Sequence, residues 1–212
     1  MIKPNQILFF GVVAVVALVI YYSFTGEQIN SGYLTEIETF RQDKNIRFKS
    51  HDDSPLDKKQ KLIFDSLSYY APNPAMRIQA DLERLDENEV INLKTTKDGG
   101  VEQYIRWAKA TFQLMGKEHE VVLLKKADQV NKKMLHLFFK DLSSGNETYG
   151  GGRYVDIEPG KTTCMIDFNM AYNPYCAYND FYICPIPPRE NYLDIEIQAG
   201  EKKPLMHSNS TN

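Results

Sequence analysis

The sequence predicts a mainly β protein: an antiparallel sandwich or open barrel of about seven strands with two N-terminal amphipathic helices, preceded by one transmembrane helix. Three observations predict it. From Met76 onward apolar residues recur with a period of two, as on the buried face of a strand. The links between these runs are short and built on glycine, so neighbouring strands are antiparallel and no helix is long enough to act as a crossover. Ahead of them lies a run without a charged side chain, Ile7 to Phe24, within the roughly 17–25 residues that span a hydrocarbon core.

Residues 1–6 form a short flank. The run 7–24 reads as a membrane anchor rather than a cleaved signal peptide: it has no small-x-small site, and it ends in Tyr21-Tyr22-Ser23-Phe24, aromatic residues suited to the bilayer interface. No cysteine follows it, which argues against a lipid-modified anchor. Lys3 precedes the span and Glu27 follows it, so the N-terminus is expected inside and the rest of the chain outside the cytoplasm, single-pass in the cell membrane. Residues 25–32 read as a linker with Gly26 and Gly32. Tyr33, Leu34, Ile37 and Phe40 recur at helical spacing and define the first amphipathic helix, ending near Lys49. Ser54-Pro55-Leu56-Asp57 opens the second, with Ser54 as cap, Pro55 at the first helical position and Asp57 completing the box; Leu56, Ile63, Phe64 and Leu67 form its buried stripe.

The first strand begins at Met76, where Met76, Ile78, Ala80 and Leu82 alternate with Arg77, Gln79, Asp81 and Glu83. Further strands are expected near Glu89–Thr96, Gln103–Leu114, Glu120–Lys126, Met134–Lys140, Thr162–Phe168 and Tyr192–Ala199. Asp98-Gly99-Gly100 and Met115-Gly116-Lys117 are hairpin turns. Residues 33–203 thus form a single extracytoplasmic globular domain, and 204–212, polar and without periodicity, a disordered tail.

Tyr149 to Glu201 differs in composition. It opens with Tyr149-Gly150-Gly151-Gly152-Arg153-Tyr154-Val155-Asp156, continues through Asp167-Phe168-Asn169, Ala171-Tyr172-Asn173-Pro174, Cys176-Ala177-Tyr178 and Cys184-Pro185, and closes on Ala199-Gly200-Glu201. Such a density of Gly, Pro, Asn and Tyr marks loops in special conformations, where sites tend to sit. The order of these pieces resembles the bacterial and archaeal family called domain of unknown function 1684, over the whole soluble part. That family has no established activity, so the resemblance implies none.

Several function classes are disfavoured. A net charge of -3 with mixed signs leaves no basic stripe for nucleic acid. Gly160-Lys161-Thr162 is not a phosphate loop, because Val155 stands where the first glycine is required. His119-Glu120 lacks the second histidine of a zinc protease, no CxxC pair occurs, and neither a metal nor a cofactor is expected. His136, on an alternating strand with Met134 and Phe138, reads as a core or half-exposed histidine.

The candidate ligand-binding residues are Arg153, Asp156, Asp167 and Asn169, each flanking a strand end, with Tyr172, Asn173 and Tyr178 adding hydroxyl and amide groups. They suit a small polar ligand or an envelope protein; alternatively they perform acid–base chemistry, with Asp156 or Asp167 as base and Arg153 stabilising negative charge, as in a hydrolase. The competing reading is an Arg–carboxylate–Asn network that only fixes a loop in a structural envelope protein. The glycines at 150–152 either present amides to an anion or provide a turn. Cys176 and Cys184 are expected as a disulfide, and Cys164, between core-facing neighbours, as a buried thiol.

Overall fold

The computed structural model describes residues 4–85, 89–129 and 131–204, and the expected tail at 205–212 lies outside them. The chain divides into two compact units, residues 1–40 and 41–212. The first consists of a helix, α1 (Pro4–Ser50), whose last turns belong to the second unit. Residues 25–32, expected as a linker, are helical in it: Gly26 and Gly32 each cost roughly 1 kcal/mol in a helix interior but do not end one. Among the described residues no helix is long and apolar enough to cross a membrane. The side chains at 7–12 and 17–24, most of the expected span, lie outside the described residues.

In the second unit α1 ends at Ser50, and Ser54 closes it by donating its hydroxyl to the Phe48 carbonyl. The second helix, α2 (Lys58–Ile63), therefore starts later than its proline suggests. Asp57, not Ser54, caps it, in a reciprocal box with Gln60. The helix buries none of its own residues, and Ile63, expected inward, is exposed, while Leu56, Phe64 and Leu67 on its flanks are buried with Phe48, Ala177 and Tyr178.

The rest is mainly β. Seven strands, β1 (Arg77–Arg84), β2 (Val90–Lys94), β3 (Val101–Leu114), β4 (Lys117–Lys126), β5 (Leu135–Phe139), β6 (Arg153–Ile157) and β7 (Thr163–Asp167), form one antiparallel sheet in the order β6-β5-β4-β3-β1-β7, curled into a half-barrel. Fourteen-residue β3 takes β2 along its first half and β1 along its second. A register shift at Arg106–Ala108 bends it, as a bulge does. The β3–β4 turn has Met115 and Gly116 both at positive φ (52° and 74°), the primed geometry that matches strand twist.

The concave face holds the main core, with Ala80, Leu123, Leu135, Leu137, Ile166 and Phe168 among its members. The stretch 192–199 is not a strand, although its alternation predicts one. Leu193, Ile195, Ile197 and Ala199 are buried in that core, tied by bonds such as Leu193 N to the Lys140 carbonyl (2.8 Å) instead of by a ladder. Alternation here reports a lining role. Conversely β6 appears where only loop was expected. At the β4–β5 seam, paired only at Leu124 and His136, the buried Asn191 amide replaces the ladder: its Nδ2 donates to the Val122 and Phe138 carbonyls (2.9 Å each) and its Oδ1 accepts from Val122 N (2.7 Å).

The convex face carries a second cluster, Leu93, Tyr104, Val122, Leu124, Phe138 and Tyr154. The chain after β7 covers part of it, pairing Tyr172 with Tyr154 and receiving the Tyr154 hydroxyl on the Pro185 carbonyl.

Candidate functional site

β6 decides most of the polar geometry, because its alternation sends Arg153, Val155 and Ile157 to the concave side and Asp156 to the convex side. Arg153 is 1% exposed. Its Nη2 donates to Asp141 Oδ2 (3.0 Å) and the Ile197 carbonyl (2.8 Å), its Nη1 to the carbonyls of Ala199 and Glu201, and the guanidinium lies 5.2 Å from the Phe139 ring centre. Asp141 also accepts from Ile197 N (2.7 Å) and from the hydroxyls of Ser143 and Ser144. Burial pulls Arg153 below its ordinary value, and the Asp141 carboxylate opposes that pull. The pair clamps residues 197–201 and offers nothing to solvent.

Asn173 and Tyr178 belong to a second enclosed network, around Glu201, itself 1% exposed. Glu201 Oε2 accepts from Asn173 N (2.8 Å) and the Tyr178 hydroxyl (2.7 Å), Oε1 is ion-paired to Lys44, and Asn173 Nδ2 reaches the Lys202 carbonyl (2.7 Å). Burial, then the Glu201 charge, drive Tyr178 well above its ordinary value. Gly200 makes the approach possible: its φ is +74°, and a Cβ would lie 2.6 Å from the Ala171 carbonyl oxygen. At the end of β7, Asp167 caps a short 3-10 turn by accepting from Asn169 N (3.0 Å), while the Asn169 amide brackets the Asn73 backbone, Oδ1 accepting from N and Nδ2 donating to O (2.8 Å each). Gly152, at φ +95°, would place a Cβ 2.7 Å from the Phe139 carbonyl oxygen, so the glycine run serves a tight turn.

The seven expected site residues therefore do not converge. Arg153, Asn169, Asn173 and Tyr178 are buried and bonded to separate parts of the chain, and Asp167 is a cap. Asp156 and Tyr172 do meet, on the convex face, and a third group joins them. His136 lies directly across from Asp156 in the β5–β6 register. Its Nδ1 donates to Asp156 Oδ1 (2.8 Å), which also accepts the Tyr172 hydroxyl (3.1 Å). An ionised carboxylate has no proton to donate, so the proton of this bond sits on Nδ1 and Nε2 is the nitrogen that Asp156 does not engage. The side chains of His136 and Asp156 are 25% and 43% exposed. Burial, then the Asp156 charge, raise Tyr172 above its ordinary value, so it remains a proton donor. Beneath them the His136 ring stacks on Phe138 at 5.7 Å, and Tyr154 meets Tyr172 edge-on at 5.8 Å.

His136 is half-exposed on its strand as its alternation suggests, but its place in the site is not legible in the sequence because its partnership depends on cross-strand register; Asp141, Glu201 and Lys44 are not legible because partners of theirs lie far along the chain. The expected disulfide is not formed: Cys164, Cys176 and Cys184 are free thiols, and the Cys184 sulfur accepts a hydrogen bond from Cys176 N (3.3 Å) instead. Cys164 is buried in the concave core, where burial pushes its thiol up to about 11. Among the described residues no group of three or more His, Cys, Asp or Glu side chains is placed to hold a metal ion.

The chain belongs to the family described as protein of unknown function DUF1684, whose model matches residues 63–202. It is similar to an uncharacterised protein of Haloarcula marismortui whose structure was solved by NMR in solution: 32% identity, 85% of this chain and 99% of that chain covered, TM-score 0.66. No curated protein matches the chain.

Proposed function

We propose that the protein is a membrane-anchored, extracytoplasmic domain that binds a small polar ligand on the convex face of β5 and β6, at His136, Asp156 and Tyr172. The observation that supports it is the half-exposed His136–Asp156 pair. Both hydrogen bonds to Asp156 fall on Oδ1, which leaves Oδ2 as one acceptor, and Nε2, across the ring from the bonded Nδ1, as another. Two acceptors beside an aromatic cluster suit a ligand that carries more than one hydroxyl or ammonium donor. The anchor rests on the uncharged run 7–24, with Val13, Val15 and Val16 exposed on α1, and the outward orientation on Lys3 and Glu27.

The test is a titration of the full chain in detergent with polyols and with amines, followed through the His136 ring resonances. Shifts that saturate in the parent and vanish in Asp156→Asn support the reading. Equal responses in the two, or none to any probe, defeat it. Topology is tested separately: a reporter fused after Asn212 is active only outside the cytoplasm if the anchor is right.

A second reading follows from the same pair: Asp156 fixes the tautomer that leaves Nε2 a proton acceptor, the arrangement of a general base. It predicts hydrolysis of a bound ester or amide, lost in His136→Gln.

A further inference from the structure

A second group of reactive side chains lies in the loop between Tyr172 and Pro185, which borders the convex-face site. Cys176 N donates to the Cys184 sulfur (3.3 Å), the Tyr149 hydroxyl donates to the Cys176 sulfur (3.7 Å), and Cys184 N donates to the Thr96 hydroxyl (3.2 Å). We propose that Cys176 and Cys184 form a redox-active dithiol oxidised by hydroperoxides, Cys176 as the attacking and Cys184 as the resolving thiol.

The two sulfurs are not equivalent. Cys176 is surrounded by donors, the Cys184 thiol and the Tyr149 hydroxyl, and these hydrogen bonds, the Cys184 one first, hold it down at about 7 against the opposing effect of burial. Cys184, which supplies a proton to its neighbour, is pushed up from its ordinary value. The pair thus favours Cys176 as the thiolate and Cys184 as the thiol, the division of labour that a two-step oxidation needs. Burial limits the oxidant: the residues are 5% and 8% exposed, so a folded oxidase cannot reach their sulfurs and the oxidant must be small.

In the first step the Cys176 thiolate attacks the distal oxygen of the hydroperoxide. The O–O bond breaks, sulfur loses two electrons to form the sulfenic acid, and the alkoxide takes a proton from water. In the second, the Cys184 sulfur attacks that of Cys176; the S–S bond forms, the S–O bond breaks, and hydroxide leaves as water with the Cys184 proton. A dithiol and a hydroperoxide become a disulfide, an alcohol and water, and two equivalents of an external thiol return the disulfide to the dithiol, themselves becoming a disulfide.

The experiment treats the reduced full chain in detergent with hydrogen peroxide and maps its peptides. A Cys176–Cys184 linked peptide that disappears with dithiothreitol is expected, with Cys164 still alkylated after unfolding. In Cys184→Ser the sulfenic acid at Cys176 accumulates and is trapped by dimedone; in Cys176→Ser no linked or trapped species forms. Alkylation of the parent needs no variant: Cys176 should react at least about tenfold faster than Cys164 at neutral pH, losing that lead as pH falls below about 7. A parent chain that forms no linked peptide, oxidation that begins at Cys184, or equal alkylation of Cys176 and Cys164 overturns the proposal.

Discussion

Arg153 and Asp156 stand on the same short strand and carry opposite charges, yet they do opposite things. Arg153 faces the concave side, where residues 193–201 close over it, and each of its terminal nitrogens is bound to carbonyls or to Asp141. Asp156 faces the convex side, where the covering chain stops at Tyr172 and leaves a carboxylate oxygen open. What separates a structural ion from a candidate binding group here is enclosure, not residue type. An enclosed charge must be satisfied by the protein itself, whereas a half-open one can exchange its water for a ligand.

The comparison breaks most easily on its concave side. Arg153→Ala strands the buried Asp141 carboxylate and should cost on the order of 3–5 kcal/mol in urea or thermal unfolding. A loss below about 1 kcal/mol would mean that Arg153 behaves as a surface charge. Asn191→Ala tests the same principle without charge: it opens the β4–β5 seam and should cost about 1–3 kcal/mol, with faster amide exchange at Val122.

Alkaline titration addresses the tyrosines of both regions. Tyr178 beside Glu201 and Tyr172 beside Asp156 both have raised values, so the folded state resists their ionisation. The stability they contribute is fully present below the unfolded value near 10 and falls as pH rises beyond it, by about 1.4 kcal/mol per pH unit for each. Tyr178→Phe and Tyr172→Phe should each flatten that fall in equilibrium unfolding, by about half a proton at pH 10 and by nearly one proton at pH 11. An unchanged slope would place the hydroxyl in water. The smallest effect is expected from Asp156→Asn, which keeps an acceptor for Tyr172 and should shift stability by less than about 1 kcal/mol. A larger loss would move Asp156 into the structural class with Arg153.

Period-two runs, the Met115-Gly116 turn and the Asp98-Gly99-Gly100 link made six of the seven strands legible, since alternation and positive φ are local demands that a few neighbouring residues express. β6 was hidden by the glycines before it, although Arg153, Val155 and Ile157 alternate as clearly as any strand. Residues 192–199 misled in the other direction, because a segment that lines a core and a strand that builds one bury every second side chain alike. The uncharged run at 7–24, the polar character of the 149–201 stretch and the location of its candidate residues belong to the sequence alone. Which of those residues are sealed and which are open was decided by tertiary structure. Arg153 is enclosed by residues more than forty positions later, His136 meets Asp156 only through strand register, and Lys44 reaches Glu201 across 157 positions. Enclosure depends on neighbours in space, and periodicity records only neighbours along the chain.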